Sequence, residues 1–268
     1  MSGGGTRSGR RNTGGAKMPV QVAATPTTPV ATPAAAPVSS TSTPSGVTYE
    51  QFMAMSEQKR YDTVKRIIYD DSIKVPDYLD NSITSKVIYA LGMNDKPKII
   101  SDAAFDKRFG TTFYRTVDNS SSKMTASDIL NQIKTSDYTQ MSNKGGSIHG
   151  RAIYFADNFS DSALYGNNKS AQVMRAKIKP NANIARGNTI NVLKGKIENS
   201  FHFGSVQADA DLYALAAITH GYDGWYDGAN HSYLMIVNRG ALVTTSKNKM
   251  AMKTNGQIYS NWDLAHDA

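Results

Sequence analysis

Apolar positions recur at helical spacing in the first folded stretch of this chain and at strand spacing further on. Phe52, Met53 and Met55 follow Thr48, whose partner Gln51 three residues on is the signature of a capping box. Val64, Ile67 and Ile68 continue at helical spacing before Asp70, and Pro76 interrupts the pattern. Ile83, Val87 and Leu91 lie on one stripe of a helix over 82–91, with Gly92 as its stop. Asp102 is placed to cap a helix through Phe109 that ends at Gly110, and 112–117 reads as a strand. Thr125 opens a helix carrying Ile129, Leu130 and Ile133, with Asp128 at its third position. A β-prone run over 152–156 comes next, and Ser160 is placed to cap a helix from Asp161. Over 171–178 the chain alternates, with Val173, Arg175 and Lys177 on one face and Gln172, Met174, Ala176 and Ile178 on the other, which predicts a half-buried strand. An Ala- and Leu-rich helix over 208–219 ends at His220-Gly221, and the nearly all-apolar run 233–237 predicts a buried strand.

Helices and strands follow one another without regular βαβ spacing, and no GxGxxG opens a helix, so the fold class is α+β. No internal repeat is present. Composition divides the chain into a tail over 1–47, a small helical lobe over 48–97 and a main domain over 98–268. Up to Gly46 there is no acidic residue and almost no large apolar one, so the tail cannot bury enough surface to offset its ordering entropy and is expected to be disordered. Arg7, Arg10, Arg11 and Lys17 supply half of the formal net charge of +8. Residues 1–18 therefore suit contact with nucleic acid or an acidic surface, or form a solvated basic tail. The Pro, Ala and Thr content from Pro19 to Pro44 reads as an extended spacer. Pro and Thr interrupt any apolar run after Lys17, so no secretory signal is expected, and no segment reaches the length of a membrane span.

Cysteine is absent, which removes disulfides, zinc–thiolate sites and thiol nucleophiles from consideration. His149, His202, His220, His231 and His266 show neither HxxxH nor HExxH spacing, so no metal is expected. Any chemistry must use oxygen and nitrogen groups.

The run from Gly150 to Gly166 carries the strongest such signal. Tyr154 lies on the β-prone run; Ser162 follows eight residues later on the helical segment, and Tyr165 three beyond it. Ser162 and Tyr165 are expected to share a helix face. With Tyr154 turned to that face, two rings can sandwich a flat cationic heterocycle, an attraction of roughly 0.5–2 kcal/mol per ring, while the serine hydroxyl meets an amide on it. Tyrosines at such positions are also common as partly buried rings with satisfied hydroxyls.

This unit resembles the nicotinamide-holding segment of the poly(ADP-ribose) polymerase and ADP-ribosyltransferase superfamily. The resemblance implies a split mixed β-sheet core with flanking helices, NAD+ as co-substrate, and Tyr154, Ser162 and Tyr165 as nicotinamide contacts. The segment Phe113-Tyr114-Arg115-Thr116-Val117 resembles the arginine version of the strand that begins the family's site, as in mono-ADP-ribosyltransferase toxins. Arg115, with Thr116 beside it, would then hold phosphate or ribose oxygens, for which a guanidinium fork is suited. The turn Gly221-Tyr222-Asp223-Gly224 also resembles the family, where it leads through a loop to the last core strand; Asp223 is read as shaping this turn.

There the pattern breaks. Relatives place a glutamate just before that strand's apolar run, and the aligned residue is Ser232. Glutamate occurs only at Glu50, Glu57 and Glu198. In the family that carboxylate stabilises the oxocarbenium-like ribose formed when nicotinamide leaves. Asp227, Glu198 or a carboxylate on the acceptor are the available substitutes, and His149 stands near the rim or is bonded to backbone. The resemblance thus implies a mono-ADP-ribosyltransferase, with Arg115, Tyr154, Ser232 and Asp227 as its catalytic set and a macromolecular acceptor, a protein or another macromolecule, as partner. A module that binds NAD+ or ADP-ribose without turnover is the alternative. A bacteriophage virion component anchored by the basic tail is another, and the expected location is the cytoplasm or a virion that delivers the chain into a host.

Overall fold

The computed structural model describes residues 43–118, 124–139, 141, 150–166, 171–201, 206–228, 232–254 and 257–260. Thr41–Ala268 forms one compact unit, apart from Met1–Ser40. The tail expected to be disordered, and the nucleic-acid or acidic-surface contact expected of residues 1–18, lie outside the described residues, as does the spacer except at Thr43 and Pro44.

Three short helices come first. Helix α1 (Tyr49–Met53) starts at the Thr48–Gln51 capping box, with both reciprocal bonds made. Ser56 caps α2 (Glu57–Tyr69) and Ser82 caps α3 (Ile83–Ala90), each hydroxyl accepting from an amide that the first turn leaves without a partner. Phe52 and Met53 therefore fall on one helix and Val64, Ile67 and Ile68 on the next, with Met55 in the turn between them. Strand β1 (Lys98–Ile100), α4 (Asp102–Lys107), β2 (Phe113–Val117) and α5 (Ala126–Thr135) follow, then β3 (Ile153–Ala156), α6 (Phe159–Ala163) and β4 (Gln172–Ile178). Beyond these lie β5 (Ile184–Arg186), α7 (Gly187–Phe201), α8 (Val206–Thr219), β6 (Gly224–Asp227), β7 (Tyr233–Ile236), β8 (Leu242–Thr245), β9 (Lys249–Thr254) and β10 (Gln257–Ser260). Helix α4 is shorter than its sequence pattern suggested and is capped by Ser101, not Asp102.

The class is α+β, with one mixed sheet in the order β1-β8-β4-β2-β3-β7-β6-β5 and β9 and β10 attached through β4. β1 with β8 and β5 with β6 are parallel pairs; the remaining pairs are antiparallel. The run 233–237 is indeed a buried strand, but it is not the last one, because β8 inserts between β1 and β4. The turn at Gly221–Gly224 opens directly into β6, so the loop before β7 is shorter than expected.

β4 is buried on both faces, which corrects the half-buried reading. The cause is α4. Arg175 is ion-paired to Asp102 at 2.7 Å and Asp106 at 2.5 Å, and Lys177 donates to the carbonyls of Phe105 and Arg108. Both cations also sit over the Phe105 ring. A period-2 pattern with basic residues on one side suggests solvent; here a helix of complementary charge covers them.

The sheet curls. Phe113 on β2 and Tyr226 on β6 have ring centroids 6.2 Å apart although β3 and β7 separate their strands in the sheet order. Strands spaced about 4.8 Å apart would hold those side chains about 14 Å from each other in a flat sheet. Helices α1 to α3 share the core with α8 and β6, through Phe52, Val64, Ile67 and Leu91 against Leu215, Ala216 and Trp225. Arg60 Nε adds a 2.6 Å bond to the Thr219 carbonyl at the end of α8.

Candidate functional site

Strands β2 and β3 pair at a single position, Tyr114 with Ala156, and then separate. Where the ladder stops, Arg115 Nη1 donates to the Tyr154 carbonyl at 2.9 Å, so a guanidinium stands in for the missing backbone bond. Arg115 Nε is buried and has no hydrogen-bond partner among the described residues. Burial pulls the guanidinium's pKa down, to about 10, and the Tyr154 phenol partly offsets the shift. It remains cationic at neutral pH.

Strand alternation sorts the other side chains. Because Ala156 opposes both Tyr114 and Tyr233, and Tyr154 opposes Met235, the residues Tyr114, Thr116, Tyr154 and Tyr233 share one face. Helix α6 packs on that face: Phe159 meets Tyr114 edge to face at 5.9 Å, and Ser162 Oγ lies 2.9 Å from Thr116 Oγ1. Tyr154 is half-buried with its hydroxyl donating to the Gly150 carbonyl. Burial raises its pKa, and the neighbouring Tyr165 phenol adds to the shift. Tyr165 in turn hydrogen-bonds Tyr233, oxygen to oxygen at 3.0 Å, with ring centroids 6.2 Å apart. Three phenols thus gather on one face of β3 and β7, near the place where β2 leaves β3.

Two local expectations change. Asn158, not Ser160, caps α6, its side-chain oxygen accepting from the Asp161 amide at 2.9 Å; the helix starts two residues earlier and Ser160 lies inside it. The helix then ends at Ala163, before Tyr165. Ser162 and Tyr165 therefore do not share a face: Ser162 is 2 % exposed against Thr116, and Tyr165 is 55 % exposed. A hydroxyl has one donor and two acceptor sites, so the Thr116 bond leaves Ser162 with capacity for a further partner.

The remaining sequence candidates separate from the phenols. Ser232 lies on the opposite face of β7, where its carbonyl accepts from the Asp157 amide at 3.0 Å and its hydroxyl bonds the Tyr226 phenol. Tyr226 also donates to Asp157 Oδ2 at 2.8 Å. Asp227 shares the Tyr233 face, but its carboxylate lies beside Gly187 at the start of α7. Glu198 is on α7. His149 and His231 lie outside the described residues. Asp223 shapes its turn as read from the sequence: its carboxylate accepts from Asn183 N at 2.8 Å and Asn238 Nδ2 at 2.7 Å.

Tyr233 is the residue that sequence reasoning missed. Tyr233 and Met235 alternate in a run read as a buried strand, but the alternation shows a face only once the pairing of that strand with β3 and its register are known. Among the described residues no group of three or more His, Cys, Asp or Glu could hold a metal ion, and no helix is long and apolar enough to cross a membrane. Comparison with protein-family models, with curated proteins and with solved structures finds no match to this chain.

Proposed function

We propose that the chain is an NAD+-dependent mono-ADP-ribosyltransferase. The observation that carries this reading is the cluster of Tyr154, Tyr165 and Tyr233 on one face of the sheet where β2 and β3 part, with the cationic Arg115, which projects from the other face of β2, reaching the Tyr154 carbonyl at that gap. Phenol rings there offer faces to a pyridinium cation, and a guanidinium at the gap between the strands offers donors to phosphate or ribose oxygens. Ser162, already bonded to Thr116, adds a hydroxyl for the carboxamide. In the reaction the bond between nicotinamide and C1′ of the ribose breaks, nicotinamide leaves with the electron pair, and an acceptor nucleophile bonds C1′ and loses its proton.

Incubation with labelled NAD+ and an acceptor-containing lysate is the test: label transfer with nicotinamide release is expected. Tyr154→Ala should weaken NAD+ binding by roughly 1–3 kcal/mol if a stacked ring is lost. Equal affinity of mutant and parent refutes the site.

One observation favours a second reading, a module that binds NAD+ or ADP-ribose without turning it over. On the phenol face β7 presents Tyr233, and a phenol held neutral by burial and by its Tyr165 partner supplies no negative charge to an oxocarbenium ion. Tight NAD+ binding without nicotinamide release would select this reading.

A further inference from the structure

We propose that Arg151 is a positioning residue for Tyr154, clamped between Asp80 and Asp211, so that the N-terminal helices set the orientation of that ring. The guanidinium is 3 % exposed; Nη1 lies 2.5 Å from Asp80 Oδ2 and Nε 3.0 Å from Asp211 Oδ1. Each carboxylate is held in turn. Asp211, on α8, accepts from the Thr84 amide at 3.2 Å and its hydroxyl at 2.5 Å, and Asp80 accepts from the hydroxyls of Ser82 and Ser85. The acids thus tie α3 and α8 to the residue that leads into β3. Arg151 N completes the clamp with a 2.6 Å bond to the Ala210 carbonyl.

The route to Tyr154 is one peptide long. Tyr154 Oη donates to the Gly150 carbonyl, and that carbonyl belongs to the peptide linking Gly150 to Arg151. A rotation at this peptide moves the acceptor and, with it, the phenol. An exposed ion pair would restrain such a rotation weakly; a buried guanidinium with partners on two elements allows one geometry. Gly150, at φ +77°, supplies the turn that brings the carbonyl under the ring.

The consequence for NAD+ rests on the transferase reading; the coupling between the clamp and the ring does not, so two measurements separate them. Removing Arg151 leaves two buried carboxylates and risks unfolding, so the test uses Asp80→Asn, at the more accessible acid, which is 29 % exposed. The first measurement is NMR of 13Cζ-labelled tyrosine, with Tyr154 assigned from Tyr154→Phe. Asp80→Asn is expected to shift the Tyr154 resonance in ligand-free protein while its melting transition stays cooperative. The second is NAD+ affinity of the parent, both single variants and the double variant. Asp80→Asn is expected to weaken binding about tenfold, and the double variant to bind no more weakly than Tyr154→Phe alone, as coupled neighbours do. An unchanged Tyr154 resonance in Asp80→Asn overturns the proposal. So does additivity of the two substitutions on NAD+ affinity. A shifted resonance in a protein whose parent binds no NAD+ supports the clamp and removes the transferase reading.

Discussion

Gly150→Ala separates two costs that are usually confounded, because Gly46 supplies the control within the same chain. Both residues adopt left-handed backbone, φ +77° at Gly150 and φ +70° at Gly46. A side chain at either position meets the same steric penalty, about 1 kcal/mol. The surroundings differ. A Cβ on Gly46 would meet nothing within 4 Å, whereas on Gly150 it would lie 2.5 Å from Tyr213 Cβ and 3.1 Å from two ring atoms. Cβ is the root of the tyrosine side chain and cannot swing away, and the ring is stacked on Trp225 at 6.1 Å with Lys194 above it. Relief therefore requires a shift of α8 or of the strand, and overpacking of this kind costs about 1–3 kcal/mol. Gly150→Ala should thus lose about 2–4 kcal/mol and Gly46→Ala about 1 kcal/mol, read as urea midpoints at constant m-value. Equal losses at the two positions would refute the close approach of Tyr213 to Gly150.

Further expectations concern buried polar groups. Burial holds the Lys134 ammonium's pKa down, from 10.5 to about 8, although Nζ donates to Ser246 O and Asn248 Oδ1. Above pH 8 the folded protein therefore binds fewer protons than the unfolded chain, so stability should rise from about pH 8 toward pH 10, by at most about 2–3 kcal/mol. Above that the tyrosines kept neutral by burial act in the opposite sense, and the gain should level off. Lys134→Met should flatten the rise in a urea titration across this range; a parent-like slope in that variant would assign the effect elsewhere. At the Thr116–Ser162 pair, Thr116→Val should cost about 1–3 kcal/mol because it leaves a buried hydroxyl without its partner, while Thr116→Val with Ser162→Ala should recover part of the loss. A double variant no more stable than the single one would show that the pair carries no coupling.

What could be read from the chain was local. The capping boxes at Thr48 and Thr125 and the stop at Gly92 are set by contacts spanning three or four residues, and each appears where the pattern placed it. The α+β class and the strands around Arg115, Tyr154 and Met235 were legible for the same reason. What was not legible depends on partners distant in sequence. Arg175 looks like a solvent-facing residue until Asp102 and Asp106 arrive from some 70 positions earlier. Arg151 carried no signal, since nothing near it announces that Asp80 and Asp211 will enclose it. The strands β5 and β8 are short and take their places from pairing with neighbours, whereas α7 carries its own stripe of Ile190, Leu193, Ile197 and Phe201 at helical spacing, a legible signal that the sequence reading did not use. Within the candidate site, the 154–162–165 spacing placed Tyr154 on a strand and Ser162 on a helix but did not give their exposures or that of Tyr165, because α6 stops before Tyr165.

Register decides where a carboxylate would have to stand if the chain lacks one for the ribose. Alignment by motif assigns the position to Ser232, and on that basis Ser232→Glu is the restoring change. The ladder argues otherwise. Tyr233 opposes Ala156 and shares a face with Tyr154, while Ser232 opposes Asp157 and points toward Tyr226 on the other side of β7. Side chains in a strand change face with every residue, so a one-position shift carries the carboxylate through the sheet. A glutamate at 233 would reach the phenol face in place of Tyr233 and its 3.0 Å hydrogen bond to Tyr165, whereas one at 232 would meet the Asp157 carboxylate and repel it. Tyr233→Glu should therefore raise the rate of nicotinamide release from NAD+, by up to about 10²-fold if the gained carboxylate acts as a single electrostatic partner commonly does. Ser232→Glu should leave that rate at the parent's level and lower thermal stability instead. Release that rises with Ser232→Glu and not with Tyr233→Glu would show that the ribose lies on the Arg115 side of the strand, with the phenol face turned away from it.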